Sequence, residues 1–160
     1  MAADPIFFLP ASLVLDVPEL DSQHRALFAQ LAEIKAACLA ENHLSASLGE
    51  ELLNALQDHF ATEERLAEEA GIEFSAHCRN HDQMLGAIAK AIAQVVEGSK
   101  DVFGILRFIE YWFERHIGDD DRRLAQRLHS MPRRSGRDVA PAIAAVPTRE
   151  RYHQASGMRL

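Results

Sequence analysis

Two histidines, His77 and His81, lie four residues apart in the stretch FSAHCRNHDQML, residues 74–85. Side chains at i and i+4 share one face of a helix, so these two imidazoles can reach a single metal ion. The zinc-protease signature HExxH is excluded because Cys78 stands where that signature has glutamate. The spacing alone is weak, since such pairs also occur on solvated helices. A metal site therefore needs further ligands from elsewhere in the chain.

Four long segments with helical periodicity surround this pair, and no alternating strand pattern competes with them. Asp21 or Ser22 suits the N-cap of the first helix, and Gly71 suits the end of the second. The predicted helices span residues 21–39, 45 or 46–70, 75–97 and 101–128. Connections of about three to six residues make neighbouring helices antiparallel. The sequence thus predicts an all-α, up-down-up-down four-helix bundle, with residues 1–20 as an extended arm along it.

The charge of the chain divides it into a body and a tail. Net charge is −7, but residues 132–160 contain six arginines against Asp138 and Glu150, which leaves 11 basic and 22 acidic side chains in residues 1–131. An acidic body disfavours nucleic-acid binding through phosphate contacts. We predict one domain over residues 1–131, followed by an Arg-, Pro- and Ala-rich flexible tail over 132–160.

The cysteines and the N-terminal apolar run indicate the compartment. Cys38 and Cys78 are the two cysteines and form no CxxC pair, as is typical of free thiols in a reducing environment. The run IFFLPASLVL, residues 6–15, lacks a basic start, is interrupted by Pro10 and is too short to cross a bilayer. We therefore expect a cytoplasmic protein with no membrane span.

Five of the eight histidines and two carboxylates fall at one height of the predicted bundle. At a rise of about 1.5 Å per residue, they occupy one slab on the order of three helical turns thick. The seven residues are His24, His59, Glu63, His77, His81, His116 and Asp121. Burying these polar groups together without a cation would be costly. The sequence therefore predicts a metal centre built from all four helices, whereas His43, His129 and His153 are predicted surface residues.

The ligand types indicate which metal the centre would hold. Five imidazoles and two carboxylates are too many for one tetrahedral zinc ion. They suit two six-coordinate ions, and imidazole favours iron over magnesium or calcium. With two bridging carboxylates and one bridging oxygen, a single coordination position stays open for a small ligand. Ferritin-like diiron enzymes use more carboxylates, so this shell favours reversible binding over oxidation of a substrate.

The stretches LDSQHRALF, HFATEE, HCRNH and YWFERHIGDDD resemble those of the hemerythrin family, specifically the bacterial single-domain hemerythrins, over about residues 9–128. The resemblance implies that His77, His81 and His116 hold one iron ion, and that His24 and His59 hold the other. It also implies an oxo or hydroxo bridge between the irons, with dioxygen as the ligand of the iron that has two histidines.

Glu63 and Asp121 would bridge the two irons by the same resemblance, but the choice of Asp121 is ambiguous on geometry alone. Asp120 lies four residues after His116 and about 40° round the helix, whereas Asp121 lies about 140° round. The His-x4-Asp spacing of the family selects Asp121. A local widening of the helix, such as a π-turn, would bring Asp121 inward.

Apolar residues beside these ligands are predicted to wall the dioxygen pocket and exclude water, and they also suit the bundle core. They are Leu27, Phe60, Trp112, Phe113 and Ile117. The resemblance implies a non-enzymatic protein that stores or transports dioxygen or delivers it to an oxygen-consuming enzyme. The alternatives are oxygen, redox or nitric oxide sensing through a signalling partner, and the handling of peroxide or nitric oxide.

Overall fold

The computed structural model describes residues 9–41, 43–98 and 101–132. The predicted tail beyond Pro132 and the first eight residues of the predicted arm lie outside the described residues. A short 3-10 turn, Ala11–Leu13, comes first in the chain. The helices that follow are α1 Pro18–Glu41, α2 Ala46–Glu69, α3 Ser75–Val96, α4 Val102–His116 and, after a π-helical turn at Ile117–Asp121, α5 Arg122–Ser130.

The helices close into the predicted four-helix bundle. Helices α1 and α3 each pack against both α2 and α4, while α4, the π-turn and α5 run on as one long fourth helix. Buried side chains from every side, among them Ile34, Leu56, Ile88 and Ile109, fill the space between them. The described residues contain no strand, which confirms the all-α prediction. None of their helices is both long and apolar enough to cross a membrane.

Local signals in the sequence fix both ends of α2. The Ser45 side chain accepts a hydrogen bond from the Leu48 N–H at 3.3 Å and caps the start of the helix. At the other end Gly71 has a φ of +65°, and the Ile72 N–H donates to the Ala67 carbonyl at 2.8 Å. This arrangement is a Schellman motif, which glycine favours because it has no Cβ. Both ends agree with the prediction.

The start of the first helix differs from the prediction. Helix α1 begins at Pro18 rather than near an N-cap at Asp21 or Ser22. Proline suits the first helical position because an N–H there would have no partner within the helix. The buried Asp21 carboxylate instead accepts a hydrogen bond from the Leu15 N–H at 2.8 Å. Asp21 therefore anchors the arm, and residues 18–20 belong to the helix rather than to the arm.

The described part of the arm, residues 9–17, lies against the long fourth helix. The Arg122 guanidinium donates to the Ser12 carbonyl, and the His129 side chain donates to the Asp16 carbonyl at 3.1 Å. Asp16 has a φ of +58°, in the left-handed region that aspartate tolerates better than most residues. These bonds hold the arm beside the π-turn, so it is not extended throughout, as predicted, but bends through a 3-10 turn.

Candidate metal centre

All seven residues that the sequence predicts as metal ligands meet at one end of the bundle. Their ligand atoms form two overlapping groups, and within each group the atoms lie no more than 4.8 Å apart. We call Glu63, His77, His81, His116 and Asp121 the three-histidine half, and His24, His59, Glu63 and Asp121 the two-histidine half. The two carboxylates belong to both halves. Six of the seven side chains are buried, and His77 is the partly exposed one.

Glu63 reaches both halves because it lies one turn after His59 on α2. Its Oε1 atom is 2.8 Å from His59 Nε2. Its Oε2 atom faces the other way and is 3.3 Å from His77 Nε2 and 3.5 Å from His81 Nε2. One oxygen is thus presented to each half, which is the arrangement of a carboxylate that bridges two cations.

The π-turn gives Asp121 the same role from the fourth helix. The helix widens at Ile117–Asp121, which is the condition for the family's choice of Asp121, and this turns Asp121 into the core. Asp121 Oδ1 lies 2.9 Å from His116 Nε2, and Oδ2 lies 3.3 Å from His24 Nε2. Asp120 remains at the edge of the bundle, beside the other ring nitrogen of His116. Of the two candidates, Asp121 alone faces both halves.

A chain of hydrogen bonds on α1 and α2 fixes the tautomer of His59. Thr62 donates its hydroxyl proton to the Asp58 carbonyl, so the Thr62 oxygen accepts from the Gln23 amide at 2.9 Å. The Gln23 carbonyl oxygen must then accept from His59 Nδ1, which is 2.9 Å away. His59 Nε2 therefore carries no proton, and its lone pair faces Glu63 Oε1 at 2.8 Å. Two electron pairs at this distance repel unless a proton or a metal cation lies between them, and the raised pKa of Glu63 shows which proton would do so in the absence of a metal.

Several buried atoms of the cluster lack a well-aligned hydrogen bond within the described residues. They are both side-chain oxygens of Glu63, both of Asp121, and the Nδ1 atoms of His24 and His81. Leaving carboxylate oxygens without partners in a protein interior is costly. Bound cations would satisfy all four oxygens at once, so the donor set fits a pair of metal ions.

Burial favours the neutral, metal-binding form of two of these imidazoles, His59 and His81. It lowers the pKa of His59 to about 4 and, together with the nearby His116 and His77, that of His81 to about 2. Burial also lowers the pKa of His116, but hydrogen bonds to Asp120 and Asp121 outweigh it and raise that pKa to about 10. His81 and His116 have Nε2 atoms only 3.0 Å apart, so they cannot both hold a proton there.

The pKa values of the two carboxylates are shifted in opposite directions. Burial and the neighbouring Asp121 raise the pKa of Glu63 well above its ordinary value. Burial also acts to raise the pKa of Asp121, but its contacts with His116 and His24 outweigh burial and hold that pKa well below its ordinary value. Two buried carboxylates that share one site resist a second negative charge. A cation would remove that conflict.

Aromatic rings cover the cluster, each beside particular ligands. Phe113 is fully buried, and its ring centroid lies 5.6 Å from that of His24 and 5.9 Å from that of His59. Phe60 stacks on His81 with a centroid separation of 3.8 Å. The two aliphatic residues among the predicted pocket walls, Leu27 and Ile117, are also buried in the core.

Trp112 differs from the other predicted wall residues in its position. It is only partly buried and stacks on His116 with a centroid separation of 4.6 Å. It also lines two surface cavities, of about 260 and 190 Å³. A third cavity, of about 450 Å³, is lined by His77, and Asp120 borders all three. Solvent thus approaches the three-histidine half, and Trp112 stands on that side.

Comparison with known proteins agrees with this geometry. The family model described as the Hemerythrin HHE cation binding domain matches residues 15–128. The chain belongs to the hemerythrin family. It is 31% identical over 121 residues to the bacteriohemerythrin of Stenotrophomonas maltophilia. The matched residues make up 72% of this chain and 77% of the relative. It is 30% identical over 116 residues to the bacteriohemerythrin of Pseudomonas aeruginosa, covering 70% and 75%. No solved structure matches the chain.

The sequence did not identify the residues that orient these histidines through hydrogen bonds at the ring nitrogen facing away from the cluster. They are Gln23 and Thr62 behind His59, and Asp120 with Arg123 behind His116. Asp120 was considered only as an alternative bridge. Gln23 is next to His24 in the chain but serves a histidine on another helix, so no spacing within one helix indicates it.

Proposed function

We propose that this hemerythrin-family chain holds two iron ions and binds dioxygen reversibly. The chain is a cation-binding domain with a His, Glu and Asp cluster suited to metal. The observation that carries the proposal is the convergence of the seven side chains on one buried cluster, in which His59 Nε2 lies 2.8 Å from Glu63 Oε1 and all four oxygens of Glu63 and Asp121 lack a well-aligned hydrogen bond within the described residues. Imidazole and carboxylate donors together are typical of iron sites, and the two relatives named above are bacteriohemerythrins.

The separations between ligand atoms support six-coordinate ions. For metal–ligand bonds of about 2.1 Å, neighbouring ligands of an octahedron lie about 3.0 Å apart. The contacts from His59 to Glu63 and from His116 to Asp121 are 2.8 and 2.9 Å, and His24 lies 3.3 Å from Asp121. We therefore assign the seven side chains as the ligands of two such ions, with both carboxylates as bridges.

The number of donors differs between the halves, which suggests where dioxygen binds. The three-histidine half offers five residues and the two-histidine half offers four. One further bridging oxygen would complete the first half and leave a single position open in the second. Ferrous iron bound by these residues would supply the electrons that reversible dioxygen binding needs. Phe113 lies beside both histidines of that half and keeps water away from the open position.

We propose dioxygen binding rather than catalysis because both carboxylates of the cluster serve as bridges. Neither is then free to act as a general acid or base in the pocket. Storage of dioxygen, or its delivery to an oxygen-consuming enzyme, follows from such binding. The free thiols Cys38 and Cys78 favour the reducing cytoplasm as the compartment.

Metal analysis combined with optical spectroscopy tests this proposal. The purified chain is loaded with ferrous iron without air, then exposed to dioxygen and deoxygenated in repeated cycles. We expect two irons per chain and an absorption spectrum that appears with dioxygen and disappears on its removal. Fewer than two irons would contradict the diiron centre. Rapid irreversible oxidation would instead favour sensing, and sustained turnover of peroxide or nitric oxide would favour an enzyme.

A further inference from the structure

His116 lies between two successive aspartates, one at each ring nitrogen. Its Nε2 is 2.9 Å from Asp121 Oδ1, and its Nδ1 is 3.2 Å from Asp120 Oδ2. Successive residues of a regular α-helix point about 100° apart, so they do not normally reach one side chain. The π-turn at Ile117–Asp121 makes the double contact possible. Asp121 faces the metal cluster, and Asp120 faces the opposite edge of the ring.

Asp120 is itself held in place from the surface. Arg123 donates from Nη2 to Asp120 Oδ1 at 2.7 Å and from Nε to the Asp119 carbonyl at 3.1 Å. The Asp120 side chain is 26% exposed, whereas that of Arg123 is 70% exposed. His116, Asp120 and Arg123 thus form a chain of contacts from the metal cluster to solvent, beside the three cavities that Asp120 borders.

We propose that Asp120 is a positioning residue for the metal centre. The Asp120 carboxylate accepts a hydrogen bond from the Nδ1–H of His116 and thereby holds the Nε2 lone pair of His116 toward the three-histidine half. This inference rests on the proposed function. A metal-binding histidine commonly donates its other N–H to a carboxylate, which orients the ring and makes it a stronger donor. Asp120 has the geometry for this task, and its negative charge also favours the higher oxidation state of a nearby iron.

Three of the other four histidines, His24, His59 and His81, do not share this support. His59 Nδ1 meets the neutral amide of Gln23, and His81 Nδ1 is buried without a hydrogen-bond partner within the described residues. Carboxylate support at His116 therefore distinguishes the three-histidine half from the two-histidine half.

Three variants in the iron-loaded chain test the role of Asp120. Asp120→Ala removes the acceptor and the charge, Asp120→Asn keeps an acceptor oxygen but removes the charge, and Asp119→Asn removes a neighbouring charge that is 60% exposed. Iron affinity is measured by chelator competition, and the reduction potential by titration. We expect Asp120→Ala to weaken iron binding roughly 10- to 100-fold, and Asp120→Asn to weaken it less. Both should raise the reduction potential, whereas Asp119→Asn should change neither quantity.

The outcomes separate this inference from the proposed function. A wild-type chain that binds no iron overturns both. A wild-type chain with two irons, and an Asp120→Ala variant that matches Asp119→Asn in affinity and potential, overturns only the role of Asp120. Circular dichroism checks that each variant folds. If Asp120→Ala does not fold, Asp120→Asn, which keeps the size and shape of the side chain, decides the question: weaker iron binding and a higher potential than in Asp119→Asn support the inference, and values equal to those of Asp119→Asn contradict it.

Discussion

The two halves of the metal cluster have opposite surroundings. The three-histidine half is near solvent, because His77 is 11% exposed and three cavities meet at Asp120. The two-histidine half is more enclosed: His24, His59 and Phe113 are all buried, and a cavity of about 200 Å³ reaches only Gln23 and Leu27 beside it. The half with more protein donors is therefore the wetter one, and the half with fewer donors is the drier one.

In the proposed function, this difference separates a half that only holds iron from a half that also binds dioxygen. In the proposed diiron site, the half with five protein donors and the bridging oxygen would have no open position, so nearby solvent would do little harm. A half with four protein donors needs dry surroundings, since water would otherwise compete for the remaining position. Electrostatic interactions are also stronger where water is excluded. Each prediction below challenges or refines this division, beginning with the largest expected effect.

Removing a bridge should disable both halves at once. We expect Asp121→Ala to weaken iron binding by more than roughly 100-fold, the upper range for residues that only support a ligand, because Asp121 faces His24 and His116 together. Iron content after gel filtration measures this loss. Asp120→Ala is the matched control and should retain more iron. Two irons retained in the Asp121 variant would show that Asp121 is not a bridge.

Removing one histidine from each half should have unequal consequences. His24→Ala leaves three residues in the two-histidine half, whereas His77→Ala leaves four in the other. We expect the His24 variant to lose most of one iron and the spectral response to dioxygen, and the His77 variant to keep part of that response. Iron analysis and oxygenation spectra compare the two. Equal losses would contradict the division.

Removing the aromatic cover of the two-histidine half should lower the stability of the fold and let water reach the bound iron. Phe113→Ala removes a fully buried ring, so unfolding of the chain in urea should require about 3–5 kcal/mol less free energy than for the wild type. The iron-loaded variant should also oxidise faster in air. Phe108, which is 46% exposed, supplies the control Phe108→Ala with little effect on either measurement. An unchanged oxidation rate in the Phe113 variant would contradict the water-exclusion role.

Disturbing the tautomer of His59 should produce the smallest of these effects. Gln23→Leu removes the acceptor at His59 Nδ1, and we expect iron affinity to fall about 10-fold. Gln23→Glu keeps an acceptor oxygen and should retain most of the affinity. Chelator competition measures both variants. If the leucine variant binds iron as tightly as the wild type, then the amide does not set the tautomer.

The sequence by itself determined the bundle and which polar residues gather at one end of it. Helical periodicity and short connections fix which helices are neighbours, and the rise per residue fixes the height of each histidine. The spacing from His116 left Asp120 and Asp121 open, and the choice of Asp121 from the family resemblance implied the π-turn that the structure has. The start of α1 was misplaced because the sequence pattern does not distinguish an aspartate that caps a helix from one that anchors the arm.

Only the tertiary structure decided how the gathered side chains face one another. It determined which oxygen of Glu63 faces which half, that Gln23 on α1 supports His59 on α2, and that Trp112 lies on the solvent side. These relations depend on how each helix is rotated about its axis relative to its neighbours. Packing of whole surfaces sets that rotation, whereas the periodicity of one helix reports only its own apolar face.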